Sequence, residues 1–382
     1  MTPRETMQAL LAGDQPAITP QWLMAFANHQ LAESLTPPET HYCGYSDYPL
    51  DGAYPREAMG PELLAKAQAF NEYIDRCALP VGWGANGAFG HGGPGEFSST
   101  AVESDDRHVM LEYETGAKKE IRFRPHGQHT FYLPVRSDDD LAALELPDPE
   151  APHRYQGLAE DVAWAKDRGL WTIGWVNGFF SGVHYFLREY QEFLMDLVLN
   201  QDLARALLEK VGRWNLAAAQ KLCEAGVDCV GLCDDLGSGE AMLMSPEMCR
   251  ELVLPWHRRL CEVVHECGAM VHLHSHGAIL PIAADLADAG VDILNPIDPD
   301  DKMPMEEVRK AVGPKVVLCG GMDKHFFDWS KDEQAAHLRR AVQDGRRLGP
   351  HILMDSGGLP QNITRPWFDW FLETSAEIRA GG

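Results

Sequence analysis

The second half of the chain alternates short apolar runs with longer stretches whose apolar residues recur at helical spacing. Each apolar run precedes a loop containing Gly, Asp or Pro and then a helical pattern, such as 246–267 or 331–347. Parallel strands need crossover helices, so this alternation predicts a parallel sheet. The six predicted strands are 171–176, 228–233, 269–274, 291–296, 315–320 and 351–356.

Two earlier runs, 17–23 and 79–83, bring the number of predicted strands to eight. Eight strands close a (β/α)8 barrel. We therefore predict an α/β fold in which residues 1–382 form a single (β/α)8 TIM barrel, with regular βα units over 170–380. A doubly wound open sheet is the alternative, but no GxGxxG follows an early strand, which disfavours its dinucleotide-binding form.

Residues 1–135 have a different character, because they are irregular and rich in Gly, Pro and aromatic residues. Helices are predicted over 3–12 and 61–77. The segment VMLEYETGAKKEIRFRP alternates apolar and polar positions on both sides of TGAKK. This pattern predicts a β-hairpin near 107–124, inserted in the N-terminal part, with Gly116 in its turn.

The segment VGWGANGAFGHGGPGEF contains seven glycines between Gly82 and Gly95. It lacks the lysine of a GxxxxGK[ST] phosphate loop, and no helical pattern follows it. We therefore expect a flexible loop over a pocket.

Composition narrows the class of ligand. The formal net charge is −24, which disfavours binding to nucleic acid or to an anionic membrane surface. The N-terminus has no signal-peptide pattern, and no uninterrupted apolar run is long enough for a transmembrane helix. The nine cysteines form no CxxC pair, as expected for reduced thiols in the cytoplasm. We expect a cytoplasmic protein with a small-molecule substrate.

Catalytic groups of a barrel lie where its strands end. Most of the predicted strand ends carry an ionisable side chain, although Asp, Ser and Gly are also common loop and cap residues. Taken singly, Asp298 and Asp355 are therefore expected to be structural. The strand-end residues are Asn177, Asp234, Asp235, Glu240, His274, Ser275, His276, Asp298, Asp323, Lys324 and Asp355.

Three histidines alternate in MVHLHSHGAIL, residues 270–280. Alternate residues share one face of a strand, so His272, His274 and His276 point the same way. We expect His272 to be a buried core residue and the other two to be functional. They could bind Zn²⁺ with a carboxylate such as Asp235 and leave one position open, or they could donate protons near neutral pH.

Four segments together resemble the uroporphyrinogen decarboxylase superfamily. They are GVDCVGLCDDLGSGEAMLMSPEMCRELVLPWHRRL, HLHSHGAILPIAADLADAGVDILNPID, VVLCGGMD and MDSGGLPQNITRPWFDWFLE. The similarity is greater to its methyltransferase branch, which contains methylcobalamin:coenzyme M methyltransferase-like and chloromethane- or methanol-type enzymes. It covers about 170–380 well and the first 135 residues loosely. The resemblance implies a (β/α)8 barrel with its pocket at the carboxyl ends of the strands.

The chain departs from the decarboxylase pattern. Those enzymes carry an N-terminal arginine-rich segment that grips substrate carboxylates, and an aspartate at the end of the second strand. At these places the chain has MAFANHQLAE and PVGWGANG, which supply neither. Decarboxylation of a porphyrinogen is therefore not expected, because a strongly acidic protein without those arginines would repel the carboxylates of the substrate.

The chain also departs from the thiol-directed methyltransferases, in which an H-x-C pair and a later Cys hold Zn²⁺. Here the pair becomes His274 and His276, and the later Cys position falls at Gly357 or Gly358. A third ligand would come from Asp234, Asp235, Glu240 or Cys319. The predicted metal ligands are His274, His276, Asp235 and Glu240. Fewer thiolates suit a metal that polarises an oxygen.

The resemblance therefore implies a corrinoid-dependent methyltransferase, the demethylase component that moves a methyl group from a small methoxy- or methylamine-type substrate to a corrinoid. The corrinoid would sit on a partner protein, since the chain has no DxHxxG motif, and a homodimer is expected by resemblance. The predicted catalytic residues are Asp235, His274, His276 and Asp323, and the predicted substrate-binding residues are Trp175, Asn177, Phe179 and Tyr185.

Two alternatives stay open. The first is a decarboxylase or other lyase on the same barrel, with His274, His276 and Asp235 in acid–base chemistry and no metal. The second is a non-catalytic ligand-binding barrel, which the absent cysteines favour.

Overall fold

The computed structural model describes residues 1–23, 34–35, 37, 60–81, 93–123, 126–360 and 362–381. Within these residues the strands are β1 (Gln21–Trp22), β2 (Leu79–Pro80), β3 (Ser99–Ser104), β4 (His108–Tyr113), β5 (Lys118–Phe123), β6 (His126–Tyr132), β7 (Thr172–Asn177), β8 (Cys229–Cys233), β9 (Met270–His274), β10 (Ile293–Ile297), β11 (Val317–Gly321) and β12 (His351–Met354).

Eight of the strands form one parallel sheet in the order β1-β12-β11-β10-β9-β8-β7-β2. This is the sequential order of a barrel, opened between its first two strands. The backbone N–H of Cys77 donates to the carbonyl of Gln21 over 2.9 Å, which links those two edges. The predicted α/β barrel is confirmed, and each of the six later strands lies within two residues of its predicted bounds.

Apolar and aromatic side chains fill the barrel, because parallel strands are covered on both faces. The ring of His272 lies among them, with its centroid 4.9 Å from that of Trp22 and 5.6 Å from that of Trp175. His272 is 1% exposed, so the structure places it in the core.

Helices surround the barrel. Their bounds are Pro3–Leu11, Gly60–Tyr73, Asp138–Ala143, Leu158–Lys166, Phe180–Phe186, Tyr190–Leu199, Gln201–Glu224, Pro246–Leu252, Leu254–Glu266, Ala283–Ala289, Met305–Val312, Lys331–Leu348 and Arg365–Gly381. In the described part of the chain, none of them is long and apolar enough to cross a membrane.

The helix predicted over 246–267 is two helices. The first ends at Leu252, and the second begins at Leu254 with Pro255 in its first turn. Proline has no backbone N–H and is tolerated in a first turn but not in a helix interior, so the chain restarts the helix there. Val253 is the junction between them.

The N-terminal part carries an antiparallel sheet, β3-β4-β5-β6. Its central pair is the predicted hairpin, with Gly116 at a φ of +88° in the turn. Strands β3 and β6 extend the hairpin beyond its predicted bounds. The glycine-rich loop at 82–95 lies outside the described residues as far as residue 92, as does the segment MAFANHQLAE, so the expectations for them stay predictions.

Candidate functional site

The ends of four neighbouring barrel strands lie in one layer. The strand register aligns Asn177 with Cys233, Cys233 with His274, and His274 with Asn295. All four side chains are buried at the carboxyl end of the sheet. This layer is where barrel enzymes place catalytic groups.

His274 is held by one amide. Its Nδ1 lies 2.5 Å from Oδ1 of Asn295, whose Nδ2 donates to the carbonyl of Cys319 and to the sulfur of Met354. These two bonds turn the amide oxygen toward His274, so Nδ1 carries the proton and donates. Burial, with the neighbouring His276, lowers the pKa of His274 to about 4, so this ring is neutral.

That ring and two neighbouring side chains form a candidate metal-binding group. One ligand atom from each of Cys233, Asp235 and His274 can be chosen so that all lie within 4.8 Å of one another. Nε2 of His274 lies 3.9 Å from Oδ1 of Asp235. Thiolate, carboxylate and imidazole are all zinc ligands, so the donor set fits Zn²⁺ with an open position. Burial raises the pKa of Cys233 well above its usual value, so a metal would have to displace a proton from the thiol.

His276 faces a different partner. Its ring is nearly perpendicular to that of His274, with centroids 4.7 Å apart, and its Nδ1 lies 3.6 Å from Oδ2 of Asp301. Burial works against its charged form, yet the neighbouring carboxylates of Asp301 and Asp235 raise its pKa. Lys324 donates to Oδ1 of Asp301 over 2.8 Å. This arrangement would allow His276 to donate a proton beside the candidate metal-binding group.

Two other predicted site residues lie apart from this group. The side chain of Glu240 is 87% exposed and forms an ion pair with Lys302 at the surface, so the predicted set of His274, His276, Asp235 and Glu240 is not assembled. Asp323 lies in the turn after β11, where it accepts a hydrogen bond from the backbone of His325 over 2.8 Å.

Three of the four predicted substrate-binding residues have structural contacts. Trp175 is 6% exposed and packs inside the barrel. Nδ2 of Asn177 donates a hydrogen bond to Oδ1 of Asn215 over 3.3 Å. Phe179 is buried with its ring stacked on Trp256, at a centroid distance of 6.3 Å.

Tyr185 does line a cavity, together with Asp235. The cavity has a volume of about 440 Å³ and opens beside the metal-binding group. Its lining residues are Thr130, Leu133, His184, Tyr185, Glu189, Tyr190, Asp235, Gly237, Ser238 and Leu243. A space of this size fits a small ligand.

Sequence reasoning missed Cys233, Asn295 and His184. Cys233 ends a predicted strand directly before Asp234 and Asp235, so its position at the barrel mouth was visible. Asn295 lies one residue before Pro296 in another predicted strand. Nothing in the local pattern distinguishes His184 from a buried helical residue.

A family model described as uroporphyrinogen decarboxylase matches residues 115–377, which is more than half of the chain. Among curated proteins, the uroporphyrinogen decarboxylase of Myxococcus xanthus is 25% identical over 243 residues, covering 61% of this chain. The match spans 66% of that relative's own length.

A solved structure shares the fold of this chain. A methyltransferase from Methanosarcina mazei superimposes with a TM-score of 0.68 at 17% identity, covering 100% of this chain and 99% of its own. A B12-independent methionine synthase from Shewanella sp. W3-18-1, in complex with selenomethionine, gives a TM-score of 0.48 at 14% identity, covering 88% and 96%. The similarity to the first of these structures shows a common fold.

Proposed function

The chain belongs to the uroporphyrinogen decarboxylase family, and from that premise we propose that it is a corrinoid-dependent methyltransferase. It would act as the demethylase component that moves a methyl group from a small methoxy- or methylamine-type substrate to a corrinoid on a partner protein. The observation that carries the proposal is the group of Cys233, Asp235 and His274 beside a ligand-sized cavity.

The charge of the cavity supports methyl transfer over porphyrinogen decarboxylation. Two carboxylates line it, Asp235 and Glu189, and no lysine or arginine is among its described lining residues. A porphyrinogen carries several carboxylates, which such a wall repels and which a decarboxylase must bind with cations.

In this proposal Zn²⁺ would be held by Cys233, Asp235 and His274, where it supplies Lewis-acid polarisation of the leaving heteroatom. The tautomer that Asn295 imposes leaves Nε2 of His274 available as a ligand.

The transfer step needs a nucleophile and a proton. The bond between the methyl carbon and the heteroatom breaks, and its electron pair stays on the heteroatom. His276, held beside Asp301, protonates that atom when the leaving group is an alkoxide or amide ion. The reduced cobalt of the acceptor corrinoid supplies the electron pair of the new bond.

The proposal is tested by anaerobic incubation of the purified chain with cob(I)alamin and a panel of methoxyarenes and methylamines. We expect the cob(I)alamin absorbance to fall as methylcobalamin forms, with one donor class, and the protein to contain about one zinc per chain. Absence of transfer from every donor would contradict the proposal.

One observation favours a second candidate, a metal-free decarboxylase or lyase of the same family. His276 has a raised pKa and lies near Asp235, so an acid and a carboxylate are present without any metal. Release of CO₂ from a carboxylated substrate, unaffected by prior removal of metal with a chelator, would support this candidate.

A further inference from the structure

The cavity beside Asp235 is negatively charged. Asp235 and Glu189 are both lining residues, and none of the described residues around the cavity is a lysine or arginine. The side chain of Asp235 is only 27% exposed, so water screens its charge incompletely. In the proposed function Asp235 and the Cys233 thiolate would balance the charge of Zn²⁺, and the exposed carboxylate of Glu189 would keep the cavity net negative, which attracts a cation.

Three aromatic side chains, His184, Tyr185 and Tyr190, also line the cavity. The ring centroid of His184 lies 4.4 Å from that of Tyr185, with planes inclined by 46°, and 5.0 Å from that of Tyr190, inclined by 65°. The face of a tyrosine ring carries partial negative charge, and several inclined faces together bind alkylammonium groups.

His184 adds no positive charge to this wall. Burial lowers its pKa to about 4, so the ring is neutral at physiological pH. Its Nε2 is buried and has no hydrogen-bond partner among the residues that the structure describes. It can therefore bond a polar group on a ligand.

A lysine approaches the cavity from behind Tyr185 without lining it. Nζ of Lys119 lies 4.9 Å from the centroid of Tyr185, 5.1 Å from that of Tyr113 and 4.4 Å from that of Phe186. Burial lowers the pKa of Lys119 to about 7. Above neutral pH this side chain is mostly uncharged, so it leaves the negative potential of the cavity in place.

We propose that the cavity around His184, Tyr185 and Tyr190 binds a small quaternary or tertiary methylammonium ion. The inference rests on the proposed function, in which this ion is the methyl donor, and it selects the methylamine class over the methoxy class. A quaternary donor loses its methyl group as the C–N electron pair stays on nitrogen. The leaving group is then a neutral amine, which needs no proton from His276. The lone pair that develops on its nitrogen would be accepted by a Zn²⁺ held by Cys233, Asp235 and His274, and the acceptor corrinoid would supply the electron pair for the new bond.

The test is calorimetric binding to the full chain, above neutral pH and without corrinoid. The probes are choline and 3,3-dimethyl-1-butanol, in which an uncharged carbon replaces the ammonium nitrogen. We expect choline to bind at least about tenfold more tightly than the alcohol.

Variants locate the binding. Glu189→Gln should weaken choline binding about threefold or more and leave the alcohol unchanged. The control is Glu192→Gln in the helix Tyr190–Leu199, which Glu189 directly precedes. The exposed carboxylate of Glu192 pairs with Arg188 at 2.9 Å and does not line the cavity. This control should bind choline as the wild type does.

Equal binding of the two probes, or choline binding that Glu189→Gln leaves unchanged, would overturn the inference. Methyl transfer from a methoxyarene, together with no binding of choline, would overturn the inference but support the proposed function. Choline binding as expected, with no methyl transfer from any donor, would support the inference and refute the proposed function.

Discussion

Lys119→Met is expected to stabilise the protein, and by an amount that depends on pH. Lys119 lies on the inward face of β5 and is 0% exposed, with no hydrogen-bond partner for Nζ among the described residues. Burial lowers its pKa from 10.5 to about 7. At about 1.4 kcal/mol per pH unit, the charged form costs the folded state about 5 kcal/mol.

Cation–π attraction reduces that figure. The ammonium lies within 4.4–5.1 Å of three ring centroids, and cation–π contacts of this kind each return about 0.5–2 kcal/mol. Methionine retains most of the packing of the lysine stem. We therefore expect the variant to gain about 1–3 kcal/mol in free energy of unfolding below about pH 7.

The gain should shrink as the pH rises. In the unfolded chain the lysine stays protonated up to about pH 10.5, whereas in the folded chain it loses its proton near pH 7. Between these values the unfolded state binds more protons, so the wild type becomes more stable with pH. Methionine cannot titrate, and the two proteins converge.

Urea unfolding followed by tryptophan fluorescence, at about pH 6, 7.5 and 9, measures this difference. Lys118→Met is the control, because that side chain is 49% exposed and pairs with Glu112 at 3.2 Å. It should change stability by no more than about 0.5 kcal/mol. If the free energy of unfolding of Lys119→Met were lower than that of the wild type by more than about 1 kcal/mol at every pH, the reasoning would be refuted. The lysine would then stabilise the fold as a cation.

Three further predictions concern the site. Asn295→Ala should lower zinc affinity about 10- to 100-fold, measured by competition with a chelating dye, because the ligand tautomer of His274 is no longer fixed. Activity that needs the protonated form of His276 should be present at low pH and fall as the pH rises through its raised pKa; in Asp301→Asn that fall should move to lower pH in a pH–rate profile. Gly277→Ala should unfold at a lower temperature and lose activity, since a Cβ at its φ of +91° would lie 2.2 Å from backbone, whereas Gly268→Ala, at a φ of +77° in open space, should lose only about 1 kcal/mol. An equal loss in both glycine variants would contradict the packing argument.

Much of the fold could be predicted because barrel strands are buried on both faces and stand out as apolar runs. The strands β3 and β6 could not be predicted from an apolar pattern, because segments such as HGQHTFY mix polar and aromatic residues. The break at Val253 depends on where Pro255 falls relative to a helix start, which periodicity does not show.

The site could be predicted only in part. His274 was identified because it ends a strand, but its partners come from strands 21 and 41 residues away, joined by helices. The register that aligns Cys233, His274 and Asn295 is a property of the closed sheet and is not encoded in any one segment. Trp175 and Phe179 were expected in the pocket because of their residue type, whereas their orientation buries them.

The central claim is that Cys233, Asp235 and His274 form the centre of methyl transfer. The most direct measurement is the rate of methyl transfer to cob(I)alamin by Cys233→Ser beside Cys261→Ser, a buried cysteine in the helix Leu254–Glu266. The account predicts that Cys233→Ser loses bound zinc and at least about 99% of the rate, while Cys261→Ser keeps both. Transfer by Cys233→Ser at the rate of the control would contradict it.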